Sequence, residues 1–153
     1  MSAARRYYER NIGSWSGHLT FRVTESLGAP FSVRMLGILT MLSRGAKMAT
    51  TVEPRGDAFF HTTKVSRLGI PFVTTEETIT IEPDGKRVSM KGTQNGEAYE
   101  ATAEIDDDAR AARYEIPWMG LTMIQSTKLL EEGRLEVVQR TPFSRAEVVL
   151  VRA

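Results

Sequence analysis

Glu77 lies in PFVTTEETITIE, where Val73, Ile79 and Ile81 mark one strand phase as apolar and Thr75 and Glu77 share it. A carboxylate on an inward face is costly unless it is paired, hydrogen-bonded or opened to cavity water, so Glu77 needs a partner or a ligand. In DAFFHTTKV, the residues Phe59, His61, Thr63 and Val65 share a face. If that face points inward, a neutral His61 imidazole could meet Glu77 across a cavity as a proton-transfer pair, or bind a haem iron. In LTMIQSTKLL the phase of Leu121, Met123 and Leu129 includes Gln125 and Thr127, and in RLEVVQRT the phase of Leu135 and Val137 runs on through Gln139 and Thr141. Three strands thus pass from apolar to polar along one face. That pattern predicts a cavity with an apolar and a polar end, the lining of a small-molecule site. Tyr114 and Trp118, from ARYEIPWMG, fit a pocket wall and complete the candidate ligand-binding set.

Other chemistries find less support. The chain has no cysteine, which excludes disulfides, thiolate nucleophiles and cysteine metal sites. His18, the other histidine, falls on the outward phase of its strand, so a multi-histidine metal site is not expected. Asp106, Asp107 and Asp108 lack the alternating ligands and terminal glutamate of a cation loop and read as a solvated turn. No Gly-x-Ser-x-Gly elbow, phosphate loop, dinucleotide glycine fingerprint or HExxH is present. Twenty Lys plus Arg stand against nineteen Asp plus Glu without charge runs, which argues against nucleic acid as a partner. The opening MSAARRYYERN carries Arg5, Arg6 and Arg10 with no apolar run behind it, and no stretch approaches the roughly 18 apolar residues of a membrane helix. A cytoplasmic protein without a membrane span is expected. At 153 residues and 41% hydrophobic content, one domain spanning residues 1–153 is expected as well.

The elements that must position these side chains are short runs of period two bounded by turn residues, the signature of an antiparallel sheet. In GSWSGHLTFRV, Trp15, Gly17, Leu19, Phe21 and Val23 share the face that should point inward. Residues 32–44, SVRMLGILTMLSR, break the pattern: Met35, Ile38, Leu39 and Leu42 fall at helical spacing, with Ser32 able to cap the start and Gly45 the end. This predicts a helix, with a buried strand as the rival. From Lys47 onward every segment reads as a strand: KMATTVE, DAFFHTTKV, PFVTTEETITIE, KRVSMKG, EAYEATAEI, AARYEIPW, LTMIQSTKLL, RLEVVQRT and RAEVVLVR. Turn chemistry joins them, as in PDGK, QNGE and EEGR. The fold class is mostly β: one antiparallel up-and-down barrel of about ten strands with a short helical segment after the first. Small inward residues Gly17, Ala101 and Ala103 should help keep its interior open.

The Gly13-Ser14-Trp15 opening, the helical insertion and the meander of about ten strands resemble the calycin group, which contains lipocalins and fatty-acid-binding proteins. The likeness covers nearly the whole chain as topology, while its sequence motif is three residues long. It implies that Trp15 packs at the closed end of the barrel near a late basic residue, Arg152 or Arg145. It also implies a helical lid over the open end, with Met35, Leu39 and Leu42 facing in. In fatty-acid-binding relatives an Arg-x-Tyr near the chain end holds a fatty carboxylate, whereas this chain ends VLVRA, with Arg152 but no following tyrosine.

The leading reading is a barrel that binds a small hydrophobic or amphipathic molecule, a lipid among the candidates, without cofactor or covalent chemistry. Glu77, Gln125 and Gln139, with Arg140 or Arg152, would orient its polar end. The alternatives are an isomerase or cyclase that uses His61 and Glu77 in the same cavity, and haem binding through His61. Oligomeric state is open.

Overall fold

The computed structural model describes residues 1–24, 44–118, 120–131 and 133–153. The helix expected over 32–44 lies outside them, except for Arg44. The elements are α1 (Ala3–Arg10), β1 (Gly13–His18), β2 (Thr20–Val23), β3 (Lys47–Arg55), β4 (Ala58–Arg67), β5 (Ile70–Ile81), β6 (Arg87–Gln94), β7 (Glu97–Ile105), β8 (Ala111–Trp118), β9 (Leu121–Glu131), β10 (Arg134–Thr141) and β11 (Ser144–Arg152). From β3 to β11 each strand pairs antiparallel with the next in the chain, and β1 pairs with both β3 and β11 to close the barrel. The run expected as one first strand is interrupted at Leu19. Both halves keep one register along β11, with Ser16 opposite Val151 and Thr20 opposite Glu147.

Gly17 stands just before the interruption. A Cβ there would lie 2.2 Å from the Val149 carbonyl oxygen, so β1 crosses β11 closer than any side chain permits. The glycine serves that approach and not the opening of the cavity. Ala101 and Ala103 are also reassigned: they pack with Ala4, Tyr7 and Tyr8 in the core beneath α1, where their small size makes room for the helix.

The alternation in the sequence arises because side chains on a strand point alternately to the two faces. On β4 it settles an ambiguity: Phe59 is 1% exposed, whereas Phe60 lies on the outer side beneath the Arg55 guanidinium, 3.7 Å from its ring centroid. His61, Thr63 and Val65 follow Phe59 inward, and on β5 Glu77 and Ile79 are buried on the same phase.

One helix was not expected. Ser2 accepts a hydrogen bond from the Arg5 amide at 3.2 Å as N-cap, and Ala4, Tyr7 and Tyr8, at i, i+3 and i+4, are buried against the barrel. The outer side of α1 is tied to the turns that ring this end. Arg5 donates to the Asp57 carbonyl at 2.7 Å, Arg6 to that of Asp107 at 2.9 Å and Arg10 to that of Asp108 at 3.0 Å. The Asp106–Asp108 triplet is a turn, as expected, in which Asp106 Oδ1 accepts from the amides of Arg110 and Ala111.

Candidate functional site

Trp15, 1% exposed, seals the end that α1 covers. Its indole N–H donates to the Asn11 carbonyl at 2.9 Å, and the Arg152 guanidinium lies 4.3 Å from its ring centroid. Arg152 also donates to the Arg10 carbonyl at 2.6 Å and to the Ile12 carbonyl, which ties the last strand to the end of α1. Gly13 stands at φ 127°, and a Cβ on it would come within 3.0 Å of that guanidinium. The partner of Trp15 is therefore Arg152. Arg145 pairs instead with Glu147 on the outer face.

Above this plug the barrel encloses a cavity of about 600 Å³. All nine candidate residues line it: His61, Thr75, Glu77, Tyr114, Trp118, Gln125, Thr127, Gln139 and Thr141. Two arginines expected to orient a ligand do not. Arg152 is occupied with Trp15 and the backbone, and Arg140 is exposed, because its position beside Gln139 puts it on the outer phase.

His61 and Glu77 meet side by side and not across the cavity, because they are register partners on β4 and β5. His61 Nδ1 lies 2.6 Å from Glu77 Oε1. The other carboxylate oxygen accepts from the Tyr99 hydroxyl, although Tyr99 is on β7 and β6 runs between. Gly92 makes this reach possible. It stands opposite both Glu77 and Tyr99 in the sheet and carries no side chain between them. A Cβ at Gly92 would lie 1.8 Å from the Glu76 carbonyl oxygen, so the two backbones are also unusually close there.

The carboxyl of Glu77 is subject to opposing forces. Burial pushes its pKa up, but the hydrogen bond and charge of His61 and the bond from Tyr99 outweigh it, and the group titrates below its ordinary value. Tyr99 moves the opposite way, pushed up by burial and by the adjacent carboxylate. Glu77 is thus an ionised acceptor with both oxygens engaged. Near it, the Tyr8 and Tyr114 hydroxyls are 3.1 Å apart at the base of the cavity, and burial raises the pKa of both.

A second polar group lies on β9 and β10. Gln139 Nε2 donates to Gln125 Oε1 at 2.8 Å, and Gln125 Nε2 donates to Thr127 Oγ1 at 3.3 Å. Thr141 and Ser144, at the last hairpin, bond to each other at 2.7 Å. On β10 the lining passes from Leu135 and Val137 to Gln139 and Thr141 as expected, whereas on β5 and β9 apolar residues stand on both sides of the polar ones, so that the polar groups there form a belt. Going away from α1, the apolar Val73 follows Thr75 on β5, and Met123 follows Gln125 on β9.

Tyr99, Gly92, Tyr7, Tyr8 and Asn11 were not anticipated as site residues. Tyr99 shares the odd phase of EAYEATAEI with the inward Ala101 and Ala103, so alternation could have found it. The helical spacing of Ala4, Tyr7 and Tyr8 behind Ser2 was the missed sign of α1. Asn11 is 3% exposed, and its Oδ1 is the one buried side-chain polar atom without a hydrogen-bond partner among the described residues.

No protein-family model and no curated protein sequence matches the chain. Its fold does match solved structures. Rv2717c from M. tuberculosis aligns over 98% of this chain and 97% of its own, with TM-score 0.66 and 10% identity. The S-type phycobiliprotein lyase CPES from Guillardia theta aligns over 100% and 93%, with TM-score 0.62 and 7% identity. Fatty-acid-binding protein 1 of Echinococcus granulosus aligns over 95% and 98%, with TM-score 0.57 and 15% identity. The fold is that of the calycin-type barrels. No helix among the described residues is long and apolar enough to cross a membrane.

Proposed function

We propose that this barrel binds one small, largely apolar molecule whose polar group meets the belt formed by His61, Glu77, Gln125 and Gln139. The observation that carries this reading is the cavity of about 600 Å³ into which the paired His61 and Glu77 face. Ligand pockets typically fall between about 300 and 1,000 Å³, with apolar walls and a few placed polar groups. Among solved structures with this fold, one is named a fatty acid transporter and another a fatty-acid-binding protein, which supports a small-molecule occupant. The test is native mass spectrometry of protein purified from its own cells, followed by extraction of any retained molecule. A retained amphipathic compound of fixed mass is expected. Protein that carries nothing, and that no amphipathic probe enters, would refute the reading. A Soret absorbance band would instead place haem on His61.

A second reading has one observation in its favour. The bond of 2.6 Å between Glu77 and Nδ1 fixes the His61 ring as a carboxylate fixes a general base, which suits an isomerase or cyclase that moves protons at Nε2. Loss of turnover in His61→Gln with ligand affinity retained would separate catalysis from binding.

A further inference from the structure

The hydrogen bonds around Glu77 limit what its neighbour can offer a ligand. An ionised carboxylate only accepts hydrogen bonds. One oxygen takes the Tyr99 hydroxyl and the other faces His61 Nδ1 at 2.6 Å, so Nδ1 carries the hydrogen. A ring with one hydrogen then presents a lone pair at Nε2. Among the described residues nothing else bonds this ring, and His61 lines the cavity with its side chain 21% exposed. The surroundings have the same polarity. Gln139 donates to Gln125 and keeps its own carbonyl oxygen, and Asn11 Oδ1 is buried without a donor. The described lining holds two carboxylates, Glu77 and Glu97, and no lysine or arginine. Around His61 Nε2, the free capacity of Gln139 Oε1 and Asn11 Oδ1 is likewise that of an acceptor.

We propose that the polar group of the ligand is a hydrogen-bond donor without negative charge, a hydroxyl or an amine, and that it docks on His61 Nε2. The proposal rests on the binding reading above. It separates this barrel from one built for a fatty carboxylate. A carboxylate would bring a second negative charge beside the buried Glu77 and would place acceptor against acceptor at Nε2.

The experiment compares three probes of equal chain length, dodecanol, dodecylamine and dodecanoate, by displacement of a fluorescent anilinonaphthalene dye. The measurements are made in mildly alkaline buffer, which favours a ring with a single hydrogen. Dodecanol and dodecylamine should bind about ten-fold tighter than dodecanoate, the scale of one hydrogen bond made or left unmade. Glu77→Gln sharpens the test. Tyr99 would still donate to the amide oxygen, which turns the amide NH2 toward Nδ1, moves the ring hydrogen to Nε2 and makes that nitrogen a donor. The alcohol-to-carboxylate ratio should then fall to about one or invert.

A wild-type protein that prefers dodecanoate, or does not discriminate, overturns the proposal. So does a Glu77→Gln protein, folded by circular dichroism, that keeps the wild-type ratio. Failure of all three probes to displace the dye overturns the binding reading and the proposal with it, whereas binding with the wrong preference overturns the proposal alone.

Discussion

Two adjacent layers of the same four strands carry opposite chemistry. In the layer nearer α1, Phe59, Ile79, Met90 and Ala101 stand side by side across β4, β5, β6 and β7. Phe59 and Ile79 are 1% exposed and Met90 is fully buried. Two residues along each strand, the next layer reads His61, Glu77, Gly92 and Tyr99. Backbone direction, register and inward phase are unchanged between them. Only the side chains differ, and with them the role. The first layer removes apolar surface from water at about 25 cal/mol per Å². The second holds an ionised carboxylate that contributes little to a core and needs hydrogen bonds to remain there. The comparison separates stability from recognition along a distance of two residues.

The first way to test that separation is to truncate the apolar layer and the plug beneath it. Phe59→Ala and Trp15→Ala should each destabilise the protein by about 3–5 kcal/mol, the cost of removing a buried aromatic ring. Chemical denaturation would measure this. A loss below about 1 kcal/mol for Phe59→Ala would show that the layer is not the stabilising one.

Gly92→Ala should come next, at about 1–3 kcal/mol, because the added methyl meets β5 backbone and not a mobile side-chain end. Since β6 must shift away from Glu77, probe affinity should fall along with stability. An unchanged melting temperature would count against the close approach of β5 and β6.

The layers were not equally legible in the sequence. The strands and their inward phase followed from period two, because a closed antiparallel barrel repeats one pattern with short turns. Glu77 stood out because a carboxylate interrupted an apolar phase, and the same logic reached Gln125 and Gln139. Alternation gives a residue's face but not its neighbours two strands away, so the link from Tyr99 to Glu77 across Gly92 was invisible. It also does not separate a glycine that opens space from one that lets backbones touch, which is why Gly17 was misread. The helix α1 escaped for a different reason. Three arginines in the first ten residues were weighed only against a targeting segment, while their guanidiniums in fact grip turn carbonyls distant in sequence.

In the polar layer, Glu77→Gln should cost only about 1 kcal/mol at neutral pH. The amide keeps both hydrogen bonds, and the loss of charge assistance is offset by relief from burying a charge. The large effect should appear in ligand preference. A cost of 3 kcal/mol or more, as estimated for core truncations, would move Glu77 into the structural class and dissolve the contrast between the layers.

The smallest effect at neutral pH belongs to Tyr99→Phe, expected below about 1 kcal/mol because the ring still packs and only one hydrogen bond is lost. Its signature lies in acid. The folded pKa of Glu77 is lowered from its ordinary 4.5 by His61 and Tyr99 acting against burial. The unfolded chain therefore takes up the proton first as pH falls. The stability due to Glu77 is complete well above 4.5 and is lost progressively as pH drops through the folded value. The other titratable groups facing it, His61, Tyr8 and Tyr114, are unchanged in Tyr99→Phe. Removing the hydroxyl leaves Oε2 without its donor, so the folded pKa climbs back toward the ordinary value. The contribution then becomes smaller and narrower in pH. Urea midpoints measured from pH 7 down to pH 3 should show a shallower acid loss for Tyr99→Phe than for wild type, and one shallower still for Glu77→Gln, which has no proton to bind there. Parallel curves for all three would mean that the carboxylate does not feel the Tyr99 hydroxyl, and the polar layer would lose the bond that spans Gly92.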